Sequence, residues 1–480
     1  MCALKKVLLI LFISVPAFFC HCSNILASHA MGAELTYECI SQNQYILTYS
    51  FYRDCDGVAA PASVNVNYTS SCFPGGFVNL IPQSGSPTQI GNVCPSATTT
   101  CNGGVYTGIE EWVYSATITL PGPCQDWKFS YAECCRNSAI STVDSPGAYN
   151  LYVFSLLNNF DVLCNSSPFF LHPPVQSVCV GQSYCFINGA SDIDGDSLAY
   201  QLITPLAATG TPITYKFPYS YSQPVISSPS VTFNALTGDL CMRPTQSDVS
   251  PFAVLVSEYR EGVLIGQVER DIQIEVVPCT NALPQLSAHY GSSVMPGNLC
   301  AGISYDFFLA SLDINSSQQT TISYSSDITG ASISNTGGLR DTLFISWTPT
   351  LSDVLTSPHC ISASVRDDNC PYLGIKNYNF CFNVLDPSDP DCLSIGIKEN
   401  APVAEVRVFR ESFGNSYKLL WKEPHAFTSV SIFDSSGRLL FDLSVEGKVE
   451  ADIRIENLSS GLYHLRMSGV QQWSKSIVKE

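Results

Sequence analysis

Trp112-Val-Tyr-Ser-Ala-Thr-Ile-Thr-Leu120 carries its large apolar residues on one parity: Trp112, Tyr114, Ile118 and Leu120. That is the period of two of a half-buried strand. Upstream, Tyr45-Ile-Leu-Thr-Tyr-Ser-Phe-Tyr52 clusters β-branched and aromatic residues in the same way. Downstream, Asp271-Ile-Gln-Ile-Glu-Val-Val277 does so again. Turn residues bound each run, and no long segment repeats apolar residues at helical spacing. The reading is an all-β chain of tandem β-sandwiches of immunoglobulin-like size.

An internal repeat extends it. Pro244-Thr-Gln-Ser-Asp248 matches Pro349-Thr-Leu-Ser-Asp353. Each precedes an apolar strand, an acidic turn (Arg260-Glu261-Gly262; Arg366-Asp367-Asp368) and a final strand. Cys179-Val-Gly-Gln-Ser-Tyr184 likewise matches Cys300-Ala-Gly-Ile-Ser-Tyr305. These define copies at 166–279 and 280–386, with residues 28–165 as a separate, disulfide-rich β domain.

The chain of 480 residues has 45% hydrophobic and 13% charged residues and a net charge of −18. The apolar share excludes a disordered chain. The acidic balance excludes a nucleic-acid binder, which needs Lys/Arg patches to displace phosphate counterions. Lys5 and Lys6 before the apolar run Val7–Cys20 read as a signal peptide over residues 1–27, cut before Ser28. That run is too short to span a bilayer, and no later one suffices. The three cysteines of the signal leave 18 of the 21, an even number that reads as disulfides in an exported protein. Matching positions in the repeats suggest Cys164–Cys179 and Cys279–Cys300 bridges across the domain junctions. Eight further cysteines then remain for the first domain. Adjacent Cys134 and Cys135 are expected to bond separate partners.

Chemistry changes near residue 392. Residues 28–392 hold 30 acidic and 10 basic side chains, whereas residues 393–480 hold 11 of each and no cysteine. The segment 387–400, polar and punctuated by proline, reads as a linker, and 401–480 as a separate module.

In that module, Val430-Ser-Ile-Phe-Asp-Ser-Ser-Gly-Arg-Leu-Leu440 is a strand, a glycine turn and a strand. Ile455-Glu-Asn-Leu-Ser-Ser-Gly-Leu-Tyr-His-Leu-Arg466 and Lys475-Ser-Ile-Val-Lys479 follow. Gly437, Arg438, Gly461, Tyr463, Lys475 and Lys479 carry a resemblance to the C-terminal sorting domain of type IX secretion (Por) cargo. The family's usual Phe/Tyr-Pro-Asn-Pro opening is replaced by Val408-Phe-Arg-Glu-Ser412. The resemblance implies export by the type IX machinery and removal of the signal. The product is then joined to anionic lipopolysaccharide at the outer cell surface or released. Ser28-His-Ala-Met-Gly-Ala-Glu34, Tyr52-Arg-Asp-Cys-Asp56 and Cys134-Cys-Arg-Asn137 resemble the opening domain of surface proteins with PKD-like repeats, which implies location more than activity.

One metal site is expected. Asp192-Ile-Asp-Gly-Asp-Ser-Leu198 places carboxylates at i, i+2 and i+4 around a glycine, a pattern suited to Ca²⁺ and similar to cadherin-like loops. Asp192, Asp194 and Asp196 are the expected ligands, with Glu261 completing the shell. The second copy offers only Asp313 and Asn315, so no second site is expected. His29, His172, His289, His359, His425 and His464 lie in no nucleophile signature or zincin helix. The function expected is therefore that of a secreted, surface-attached adhesive or structural protein and not an enzyme. Its partner would be an extracellular glycan or protein ligand. A carbohydrate-binding protein and a glycan-active hydrolase are the alternatives. An exposed aromatic row would mark the first and convergent carboxylates the second.

Overall fold

The computed structural model describes residues 30–174, 177–287, 297–326, 328–355, 357–393, 406–410, 416–422, 424–434, 438–455, 458–459, 461–469 and 472–479. The signal peptide, Gly437 and residues 394–400 of the linker lie outside them. The chain is all-β; its α-helices among the described residues are the short Leu351–Leu355 and Pro390–Leu393.

The N-terminal module is a ring of strands and not a free-standing domain. Ala30–Ser41 pairs with Gln44–Asp54, which pairs with Ile109–Thr119. From there the ladder runs through Gly76–Pro82, Val64–Thr69 and Trp127–Glu133 to Leu151–Leu157. The strand that closes the ring is Val263–Val277, from the first repeat copy. It pairs with Leu151–Leu157 through Gly266–Val268 and with Ala30–Ser41 through Arg270–Ile272. The ring encloses a core of Leu35, Tyr49, Val66, Trp127 and Phe129. The expected boundary at 165/166 is therefore corrected: one 15-residue strand serves both modules. The core of the first copy is shared as well, since Met31, Tyr52 and Ile109 pack with Phe186, Phe252 and Ile274.

The second copy is a sandwich of two four-stranded sheets. One is Gln285–Ser287, Tyr305–Leu312, Thr342–Trp347 and Ser332–Asn335; the other is Asn298–Cys300, Ile375–Leu385, His359–Arg366 and Thr321–Ser326. Trp347, Phe307 and Phe382 fill the space between them. In the C-terminal module, Arg407–Arg410, Ser416–Leu420 and Glu450–Arg454 form one sheet. Leu439–Ser444, Ser429–Asp434, Gly461–Ser468 and Gln472–Lys479 form the other. Trp421, Phe427 and Leu465 lie in its core.

The disulfides correct the expected pairing. Cys164 bonds Cys39, Cys179 bonds Cys279, and Cys300 bonds Cys392. The reason is local. Ser177–Cys179 runs parallel to the end of Val263–Val277, with Cys179 opposite Val277, so the strand entering the copy lies against the strand leaving it. Asn298–Cys300 repeats this against Ile375–Leu385. Each bridge therefore closes one module at its base and spans no junction. Cys134 and Cys135 bond each other across a cis peptide, with Cα atoms 3.1 Å apart. Nor is the first domain a closed set, because Cys94 bonds Cys370 of the second copy.

Candidate functional site

The acidic loop lies at the end of the strand Ser197–Ile203. That strand pairs antiparallel with Val249–Arg260, Ser197 opposite Tyr259, which brings Asp196 beside Arg260. Asp192 Oδ1 accepts the backbone N–H groups of Asp194 at 2.9 Å and Asp196 at 3.0 Å, folding the loop around its own first carboxylate. Gly195 takes φ +80°, a left-handed position that suits glycine. The Arg260 guanidinium grips Asp196 with Nε to Oδ1 at 2.7 Å and Nη2 to Oδ2 at 2.5 Å. Asp194 turns aside: its Oδ2 accepts the backbone N–H of Ser166 at 2.7 Å.

The fourth carboxylate is Glu258 and not Glu261. Glu261 is exposed at a left-handed turn position, φ 51°, at the hairpin tip. Glu258 is 0% exposed, and its carboxylate groups with Asp192 and Asp196 so that one oxygen from each lies within 4.8 Å of the others. Glu258 Oε2 accepts from Asn165 Nδ2 at 3.0 Å. Glu258 Oε1 and Asp192 Oδ2 are buried with no hydrogen-bond partner. Burial first, then the neighbouring Asp192 carboxylate, pushes Glu258 up to about 10. Burial also raises Asp192. Four carboxylates around a single guanidinium leave negative charge that only protons or a cation can offset. Strand parity would have found Glu258, since it sits two residues before Arg260 on the same strand.

The equivalent turn of the second copy is built differently. Arg340 Nη2 donates to the carbonyls of Asp313 at 3.1 Å and Asn315 at 3.0 Å, so an arginine supplies positive charge inside that turn. Asp313 Oδ2 and Asn315 Oδ1 are buried without hydrogen-bond partners there.

A cavity of about 290 Å³ lies between the two copies, lined by His172, Pro174, Tyr324, Ser362 and Ile375 among others. His172 Nε2 lies 2.6 Å from Ser362 Oγ and 2.9 Å from Asn379 Oδ1. Burial lowers the imidazole, keeping it neutral. This Ser–His contact was not legible from the sequence, because the residues are 190 apart. In a nucleophilic triad a third side chain holds the ring nitrogen far from the nucleophile, whereas Asn379 meets the same Nε2 as Ser362. The groups that act on His172 are Asn379, Arg270 and the Tyr378 backbone. The trio therefore reads as a polar clamp between modules.

In the C-terminal module, Arg438 N donates to Asp434 Oδ1 at 3.0 Å and Arg438 Nε to Asp434 Oδ2 at 3.2 Å, tying the start of Leu439–Ser444 to the end of Ser429–Asp434. Tyr463 stands opposite Asp434 and donates its hydroxyl to the Ser459 carbonyl at 2.6 Å. Gly461 pairs with Lys479 and Leu465 with Lys475, so the terminal strand is an edge of this sheet. The pattern of the secretion system C-terminal sorting domain matches residues 416–480. The C-terminal module is a type IX sorting domain. The protein is therefore exported by the type IX machinery, and its place is the cell surface or the medium.

No curated protein matches the chain. Among solved structures it is similar to a set of titin domains (11% identity, 65% of this chain and 98% of that one, TM-score 0.16). It is also similar to the extracellular cadherin domains 1–5 of protocadherin gamma B2 (10%, 91% and 86%, TM-score 0.17). An ectodomain fragment of ICAM-5 is a third (10%, 92% and 95%, TM-score 0.15). The fold assignment stands on the strand pairing itself. Among the described residues, no helix is long and apolar enough to cross a membrane.

Proposed function

We propose that residues 28–392 are the working body of an adhesive surface protein, without catalytic activity, and that Ca²⁺ stiffens it at Asp192, Asp196 and Glu258. The observation that supports an adhesive role is the join of an export module to a body whose modules are each closed by disulfides. The lone oxygens Asp192 Oδ2 and Glu258 Oε1 support the cation, since Ca²⁺ takes carboxylate oxygens in irregular loops. Once the sorting domain is removed, the body is retained through anionic lipopolysaccharide at its new C-terminus or released.

A glycan ligand is the second reading, favoured by one face of the N-terminal ring. Phe77 is 67% exposed and stands opposite Asn67, beside the Asn65–Asn79 pair, whose amides bond at 2.9 Å. An apolar ring among amides matches sugar chemistry: stacking on the ring face, hydrogen bonds at its edge. The test is an array of glycans and matrix proteins probed with the mature chain and with Phe77→Ala. Binding to a matrix protein unchanged by Phe77→Ala supports the adhesive reading. Glycan binding lost in Phe77→Ala supports the second. A chain that binds nothing on either array removes both.

A further inference from the structure

We infer that the body is a load-bearing tether whose three long loops are locked by covalent bonds, so that tension reaches only the short ladders outside and between them. Cys39–Cys164 spans 125 residues, Cys179–Cys279 spans 100 and Cys300–Cys392 spans 92. In each case the bonded pair closes the long loop of a module, with Cα atoms 5.6, 5.2 and 5.8 Å apart. A pull applied before Cys39 and after Cys392 therefore crosses three S–S bonds. It also stretches two connectors, 164–179 and 279–300. In series with them lie Ala30–Glu38, ahead of the first bridge, and the short strands Phe169–Phe170, Ser177–Cys179, Gln285–Ser287 and Asn298–Cys300 within the connectors.

The physical consequence is specific. Forced unfolding is governed by the barrier of whatever hydrogen-bonded ladder carries the load. Here most of each ladder sits inside a closed loop; the load falls on the short strands outside the loops and on the pairing of Val263–Val277 with Ala30–Ser41 and Leu151–Leu157, which joins the first loop to the second. Cys185–Cys241, Cys72–Cys124 and Cys360–Cys381 also lie inside these loops and off the path. Cys94–Cys370 adds a strap in parallel, between the first loop and the third. It is backed by the Val93–Tyr372 bridge, with Cys94 N donating to the Pro371 carbonyl at 2.8 Å and Leu373 N to the Asn92 carbonyl at 2.7 Å. Its route through the chain is longer than the two connectors, so it holds the modules side by side and does not set the reach.

The covalent locking ends where the export module begins. Cys392 is the last cysteine, and residues 393–480 have none. The long loops are thus shielded up to the point where the linker starts, whatever ligand the body grips. The inference needs only the bridges, so a failed binding array would leave it standing.

The experiment is optical-trap extension of the full mature chain, held by handles before Ser28 and after Glu480, with and without reductant. Residues 393–480 unfold in both states and act as an internal ruler of about 300 Å, at about 3.5 Å per residue. The oxidised chain is expected to add only about 160 Å, from the two connectors and residues 30–39, by the same measure. Reduction is expected to add releases of about 440, 350 and 320 Å, or the equivalent total length where a module opens at once. An oxidised Cys94→Ser/Cys370→Ser variant is expected to keep the oxidised length. Three results would each overturn the inference: any of the long releases in the oxidised chain, a reduced chain no longer than the oxidised one, or a lengthened variant.

Discussion

Arg136 Nη1 donates to Asp271 Oδ1 at 3.0 Å while Nη2 binds Oδ2, and both side chains are all but fully buried. Arg136 belongs to the Cys-Cys-Arg-Asn stretch of the N-terminal ring, Asp271 to the strand shared with the first copy. Breaking a buried pair leaves an uncompensated charge and costs about 3–5 kcal/mol. Asp271→Ala is therefore expected to lower the denaturant midpoint of the whole shared unit, read together by tryptophan fluorescence and far-UV circular dichroism. A loss below about 1 kcal/mol would show that the pair does not hold the modules together.

The ring closed by Val263–Val277 predicts that residues 28–165 do not fold alone. Without that strand, Leu151–Leu157 and Ala30–Ser41 each expose an unpaired edge, and Met31, Tyr52 and Ile109 lose their packing. The fragment 28–165 is expected to give a collapsed NMR spectrum, and 28–279 a dispersed one. A dispersed spectrum from 28–165 would contradict the shared strand.

The acidic loop predicts a pH dependence with a definite sign. Glu258 binds its proton more tightly folded than unfolded. The stability linked to it is full below about pH 4.5, the ordinary glutamate value, and falls as pH rises toward about 10. Calcium takes the proton's place, so its stabilisation grows over that window. At a hundredfold excess over Kd the gain is about 2.7 kcal/mol. Glu258→Gln is expected to flatten the calcium-free profile and abolish the calcium effect. Melting of the full chain from pH 5 to pH 9, with calcium and with chelator, checks it; midpoints that coincide in both would remove the cation.

Much of the fold was legible because strand parity is a local property. The period of two at Trp112–Leu120 and the Pro-Thr-x-Ser-Asp repeat follow from neighbours in sequence. So does the strand–turn–strand of the tail, where Val430 and Ile432 are buried as alternation requires. Closure of the ring was not legible, since it joins Gly32 to Ile272 across the whole shared unit. The bridges misled for a related reason. Cysteines close in sequence, Cys164 and Cys179, lie on successive modules, while a parallel incoming strand puts Cys179 against distant Cys279. Glu261 looked apt by composition, but it is exposed at its turn position, while Glu258, on the parity of Arg260, faces the loop.

The central claim is that residues 393–480 are an address and residues 28–392 the working body. Two proteins expressed in a host with the type IX pathway test it most directly. One is the chain ending at Leu393; the other is a fluorescent protein behind the signal peptide and ahead of residues 393–480. Protease accessibility on intact cells is the readout. The truncated chain is expected to stay in the periplasm and the fluorescent fusion to reach the surface or the medium. A truncated chain that is digested on intact cells, or a fusion that stays protected, would contradict it.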